Sequence, residues 1–202
     1  VNGAKINLTY ADDGGDPDKA VTAAKDMIGQ GYKIIGGTVS SGIALKLAEQ
    51  AAQNKVLYIS GPAATDAIQG INKYTFRSGR QSLQDVATAG SFIDTNGKKV
   101  VVFAQDNAFG QGNVAAVKAV LGAKGATVEA VLVPDGQELT PFARQLIDAK
   151  PDMVFVAWAG ATSGTMWQTL SQQGAFDAAP VVTGLGDAAT FGAYGEATDK
   201  IS

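Results

Sequence analysis

Lys99-Val100-Val101-Val102-Phe103-Ala104 runs through Gln105 into Asp106-Asn107-Ala108-Phe109-Gly110-Gln111-Gly112. After Lys99 the next five residues are a short apolar run rich in β-branched side chains, which reads with it as a buried strand. The polar and glycine-containing turn after it opens an amphipathic stretch over residues 110–121, read as a helix. Strand, loop and helix then recur: strand 127–133, helix 140–149, strand 152–157, helix 162–173 and strand 180–184. The same alternation runs backwards from Lys99. It predicts a strand at 5–10, a helix from Asp16 through Ile28, a strand at 33–36 and a helix after Ser40 or Ser41. Further units are a strand at 56–60, a short helix at 66–69, an extended segment at 74–77 and a helix at 82–95. Asp16-Pro17 and Thr140-Pro141 each read as an N-cap followed by proline at the first helical position. Such alternation defines an α/β chain whose parallel sheets are covered by helices.

Composition narrows the function. The 202 residues are 46% hydrophobic and 17% charged, with a net charge of −3, which suits a folded chain and argues against disorder. The apolar runs, such as residues 153–159, are far shorter than the roughly 20 residues of a membrane span. With no basic run, the electrostatic footprint for nucleic acid is missing, so none is expected as a partner. The chain has neither Cys nor His, which removes thiol nucleophiles, His-based triads and the usual nitrogen or sulfur metal sites. No enzyme activity, cofactor or metal is expected. Val1-Asn2-Gly3-Ala4 lacks a basic start and an apolar run, so the chain reads as mature, trimmed or cytosolic.

In open parallel sheets, ligands bind beyond the carboxyl ends of the strands. Two such loops are Gly36-Gly37-Thr38-Val39-Ser40-Ser41-Gly42 and Ser60-Gly61-Pro62-Ala63-Ala64-Thr65. Both place hydroxyls and free amides at helix N-termini, which suit an anionic group such as a carboxylate; helix capping alone would also explain Ser40, Ser41 and Thr65. No G-x-G-x-x-G or phosphate-loop pattern occurs. Asp12, Asp13, Asp16 and Asp18 lack the ligand alternation and distant Glu of a calcium loop, and read as turn and capping residues. Phe109, Trp158 and Asp187 follow later strands, where two aromatic faces and a carboxylate would complete a small-molecule pocket, although each alone reads as packing or a surface turn.

These loops, in this order, resemble the type I periplasmic solute-binding proteins, in particular the leucine/isoleucine/valine-binding branch that serves ABC importers. The matching pieces are Asp12-Asp13-Gly14-Gly15-Asp16-Pro17, the run 36–42 with its Ser-Ser pair, and Ile59-Ser60-Gly61-Pro62-Ala63-Ala64-Thr65. Phe76-Arg77, the run 106–112, Phe142 and Pro151-Asp152-Met153-Val154-Phe155-Val156 add to them. The resemblance implies two doubly wound parallel-sheet lobes, over residues 1–80 and 81–202, that close on a small solute. It would set Ser40, Thr65 and the backbone at Ala63 on the solute's carboxylate, with Ser41 and Ala64 beside them. It puts Phe109 where relatives often carry a Tyr, makes Trp158 part of a ligand-facing loop, and brings the family's ammonium-binding acid near Asp187. Without an acid there, an aromatic or aliphatic carboxylate would fit as well as an amino acid.

The resemblance also implies an extracytoplasmic protein, periplasmic or a cell-surface lipoprotein, that hands its solute to a membrane permease. Relatives start with a further strand and helix and continue past Ser202. The chain is therefore expected to be incomplete at both termini, whether proteolysed, engineered, or completed by a strand from another chain. Two rivals share the α/β pattern: the sensor core of a transcriptional regulator and a nucleotide-dependent α/β enzyme. The first lacks a DNA-binding segment here, and the second its phosphate loops.

Overall fold

A computed structural model of the chain describes residues 2–3, 5–184, 186 and 188–201. The chain divides into two compact units. The smaller comprises Val1–Ala63 with Ala67–Gly79, and the larger Ala64–Asp66 with Arg80–Ser202.

In the smaller unit, helix α1 (Pro17–Gly29) leads to strand β1 (Ile34–Gly37), helix α2 (Ser41–Asn54), strand β2 (Leu57–Ser60) and strand β3 (Thr75–Arg77). The α1 start forms as read: the Asp16 side chain accepts from the Asp18 and Lys19 N–H groups, and Pro17 occupies the first turn, where its missing N–H is not needed. The three strands pair in parallel in the order β1-β2-β3. Side chains alternate across a sheet, so Ile35 and Tyr58 face a core built with Ala20 and Ala24 of α1 and Ile43, Leu47, Ala48 and Ala51 of α2. The opposite face shows Ile34, Ile59 and Phe76 at 63%, 38% and 58% exposure.

Residues 5–10, read as a strand, form none; they are exposed and irregular. Their apolar alternation is real, yet a strand exists only through pairing, and no strand of the sheet lies against them.

The larger unit holds helix α3 (Ser82–Ala89), strand β4 (Lys99–Gln105), helix α4 (Ala108–Val120), strand β5 (Thr127–Val133) and helix α5 (Thr140–Asp148). Strand β6 (Met153–Ala157), helix α6 (Ser163–Gln172), the short helix α7 (Ala175–Ala178) and strand β7 (Val181–Thr183) follow. The sheet is parallel throughout, in the order β5-β4-β6-β7. Val100, Val102 and Ala104 pack with Val86 of α3 and Val114, Val117 and Leu121 around α4. Val101 and Phe103 pack on the other face with Leu146 of α5 and Met166, Trp167 and Leu170 of α6. Helices therefore cover both faces of a doubly wound sheet. No helix among the described residues is long and apolar enough to cross a membrane.

Most expected boundaries lie within about a residue of those found, and three helix ends differ in a way the local structure accounts for. The helix expected over 82–95 ends at Ala89, with Gly90 as its C-cap, a position where a Cβ would run into the Leu121 side chain. α4 begins at Ala108, two residues early, since Asn107 rather than Gly110 marks its start: the Asn107 side chain accepts from the Phe109 and Gly110 N–H groups. Thr140 is not an N-cap; it lies inside α5, and the Glu138 carboxylate takes its N–H at 2.9 Å.

Candidate functional site

Strand β1 ends at Gly37, and the chain reaches α2 through Thr38, Val39 and Ser40. Thr38 has φ +68°, a region that a β-branched side chain adopts only under strain. Its hydroxyl donates to Asp13 Oδ2 at 3.4 Å, tying the turn to the loop before α1. Nothing in the sequence around Thr38 announced this conformation. Glycine instead signalled the close approach next to it: a Cβ on Gly61 would lie 3.0 Å from the Thr38 carbonyl oxygen, so the loops after β1 and β2 nearly touch.

Ser40 occupies the N-cap position of α2, but its side chain makes no capping hydrogen bond. The N–H groups of Ser41, Gly42 and Ile43 likewise find no hydrogen-bond partner among the described residues. Ser41 is only 2% exposed, and its Oγ is also without a partner. A 14-residue helix thus opens on three unused donors, a half-buried hydroxyl and a buried one. Such an end attracts negative charge through its partial positive dipole and its free N–H groups.

Ala63 belongs to the same unit and packs with Ala44, one turn into α2. Its carbonyl accepts from Arg77 Nη1 at 3.5 Å, while its N–H has no partner among the described residues. Ser40, Ser41 and Ala63 therefore gather in one neighbourhood of the smaller unit.

Ala64 and Thr65 fall in the larger unit because the start of α3 holds them. The Ala64 carbonyl accepts from the Ser82 N–H at 2.9 Å and from its hydroxyl at 3.2 Å, and Asp66 Oδ2 takes the Leu83 N–H at 3.2 Å. Thr65 is 3% exposed, and a Cβ on Gly112 of α4 would come within 3.8 Å of its hydroxyl.

The larger sheet reverses its winding between β4 and β6: α4 leads from β4 outward to β5 on one face, and α6 leads from β6 outward to β7 on the other. A crevice opens beyond the carboxyl ends at such a reversal. Phe109, half-buried in the first turn of α4, and Trp158, just past β6, stand at its two sides. Gln105 spans it, its Oε1 accepting the Ala159 N–H at 3.0 Å. The Trp158 ring stacks on Phe103 at 5.7 Å between centroids, and its Nε1 donates to Thr162 Oγ1 at 2.9 Å. Gln105 escaped the sequence reading because its partner is 54 residues away. Asp187 lies outside the described residues.

Each unit is a parallel α/β module, the smaller with a helix start suited to an anion and the larger with aromatic side chains beside a winding reversal, positions at which α/β proteins of many functions place ligands. The chain belongs to the periplasmic binding protein family, whose model matches residues 1–202. It is 29% identical over 160 residues to Leu/Ile/Val-binding protein BraC3 of Rhizobium johnstonii, across 77% of this chain and 44% of that protein. An ABC-transporter solute-binding protein of Rhodopseudomonas palustris, solved with 3,4-dihydroxybenzoic acid, is 29% identical with a TM-score of 0.79, over 91% of this chain and 52% of that one. An ABC-type branched-chain amino acid transporter protein of the same species is 33% identical with a TM-score of 0.62, over 91% and 52%. The chain spans about half the length of the curated relatives it matches.

Proposed function

We propose that the chain is part of an extracytoplasmic solute-binding component of an ABC importer, which captures an amino acid or another small carboxylate and passes it to a membrane permease. The observation that carries this reading is the start of α2, with an N-cap serine that does not cap, three unused N–H donors and the buried, unpartnered Ser41 hydroxyl. Buried polar groups are almost always satisfied, so a ligand oxygen is the natural partner for these. Ala63 would add one further N–H, and Thr65 a hydroxyl from the larger unit. Phe109 and Trp158 would offer apolar surface for a side chain or ring. Capture and release make and break no covalent bond, in keeping with relatives that are solute-binding proteins.

Both solute classes named among the relatives carry a carboxylate: leucine, isoleucine and valine in one, a dihydroxybenzoate in another. What separates them is an acid for the ammonium group, the role proposed for Asp187. Calorimetry with leucine and with 3,4-dihydroxybenzoate tests the reading. Ser40→Ala and Ser41→Ala should each weaken the bound solute by roughly 1.5–3 kcal/mol, the range for hydrogen bonds to a charged group. Unchanged affinity in both variants would overturn the assignment. Asp187→Asn should weaken only leucine.

A further inference from the structure

The two neighbours of β4 leave it at different points. Pairing with β5 runs through Gln105 and Val133, and the Asp106 N–H then donates to the Val133 carbonyl at 2.8 Å. Pairing with β6 stops one position earlier, at Ala104 and Ala157. Alternate residues of a parallel strand bond to the same neighbour. Val154 of β6 serves the β7 side, its N–H going to the Pro180 carbonyl at 2.9 Å, so the odd-numbered residues serve β4 and Ala159 is next in line. A continued ladder would send the Ala159 N–H to the Gln105 main-chain carbonyl. That carbonyl already accepts from the Asn107 N–H at 2.9 Å, and a Cβ on Gly110 would run into it, so the first turn of α4 fills the space. The Gln105 side chain takes over, its Oε1 accepting the Ala159 N–H at 3.0 Å.

The loop after β6 is otherwise tied mainly to itself. Gly160, at φ +91°, turns the chain, and its carbonyl accepts from the Ser163 N–H at 3.1 Å and the Ser163 hydroxyl at 2.8 Å. Trp158 Nε1 donates to Thr162 Oγ1 at 2.9 Å. These bonds would survive if the loop shifted as one piece. No other hydrogen bond among the described residues joins residues 158–161 to a strand. The remaining hold is the stack of Trp158 on Phe103, with 16° between the ring planes. Stacked rings tolerate sliding offsets, whereas a hydrogen bond fixes a point.

We propose that Gln105 is a positioning residue: its side chain stands in for a missing ladder carbonyl and sets the Trp158 loop in its solute-ready place before a solute arrives. Ordering a loop at the moment of capture subtracts from affinity, and a loop held beforehand avoids that loss. The benefit to capture rests on the solute reading of Trp158; the positioning itself stands on the loop geometry.

Gln105→Met keeps the side-chain length and removes the acceptor, while Gln105→Glu keeps an acceptor at the same reach. Exchange of the Ala159 amide and of the Trp158 indole N–H, read by NMR on the solute-free chain, reports the loop directly. In Gln105→Met both should lose protection by about tenfold, with β4 amides and the melting temperature close to wild type, and Gln105→Glu should restore the protection. Calorimetry with leucine and with 3,4-dihydroxybenzoate should show Gln105→Met weakening whichever solute binds by roughly three- to tenfold, the reach of one neutral hydrogen bond. Unchanged protection in Gln105→Met would overturn the proposal, as would lost protection with full affinity. Weakened binding with Ala159 still protected would also overturn it, because Gln105 would then act on the solute itself. A wild-type chain that binds neither solute would sink the solute reading alone, and the exchange data would still decide the positioning.

Discussion

At the scale of single residues, the site depends on groups held in conformations that their side chains do not choose. Thr38 is the clearest case, with its β-branched side chain at φ +68°. Glycine tolerates that backbone, so Thr38→Gly should raise thermal stability by about 1 kcal/mol if relief of strain outweighs the added freedom of the unfolded chain. The same change should weaken solute binding by loosening the approach to Ser40, and calorimetry beside thermal melts would separate the two effects. Tyr58, whose hydroxyl donates to the Gly37 carbonyl at 3.3 Å, shows what burial does to an ionisable group: desolvation pushes its phenol from 10.0 up to about 12. A raised phenol pKa means that the folded state holds its proton longer than the unfolded chain. Its contribution to stability is therefore complete below about pH 10 and disappears as the pH rises through about 12. Melts across that alkaline range should show the loss, and Tyr58→Phe should flatten it.

At the scale of elements, local signals decided helix starts wherever the partner was a few residues away. Asp16-Pro17 was legible because the cap acceptor and its donors, Asp18 and Lys19, are neighbours in the chain. Those two N–H groups, Lys19 first, hold the Asp16 carboxyl below its ordinary 3.8. A lowered carboxyl pKa contributes stability that is present above about pH 4 and is lost as acid drives the pH down through the folded value. Protection of the Asp18 and Lys19 amides, taken relative to the intrinsic exchange rate at each pH, should fall in acid over that window, and Asp16→Ala should leave that protection low and pH-insensitive. The α2 start was legible only by half. Ser40 and Ser41 were visible as hydroxyls at a helix N-terminus, but sequence alone left capping and ligand binding open. In the structure Ser40 occupies the cap position, and its side chain makes no capping hydrogen bond. Residues 5–10 show the opposite failure, since an apolar alternation cannot say whether a partner strand is present.

At the scale of the molecule, the two units differ in how well their sheets are covered. Helices pack on both faces of the sheet around β4 and β6, whose apolar side chains are buried. The β1-β2-β3 sheet is packed on one face and shows Ile34, Ile59 and Phe76 on the other. Local stability follows buried apolar contact, so amides of β4 and β6 should exchange slowest and those of β1 to β3 well before them. Native-state hydrogen exchange checks this order; equal protection of both sheets would contradict it. The alternation of apolar runs with amphipathic stretches, the Asp16 cap and the hydroxyl-bearing loops were settled by the amino-acid order, because each is a property of neighbours within a turn or a strand. Tertiary structure alone decided that residues 5–10 stay unpaired, that Ala64 and Thr65 are held by α3, and that Gln105 reaches Ala159. Those outcomes depend on contacts between distant segments, whose energies no local pattern encodes.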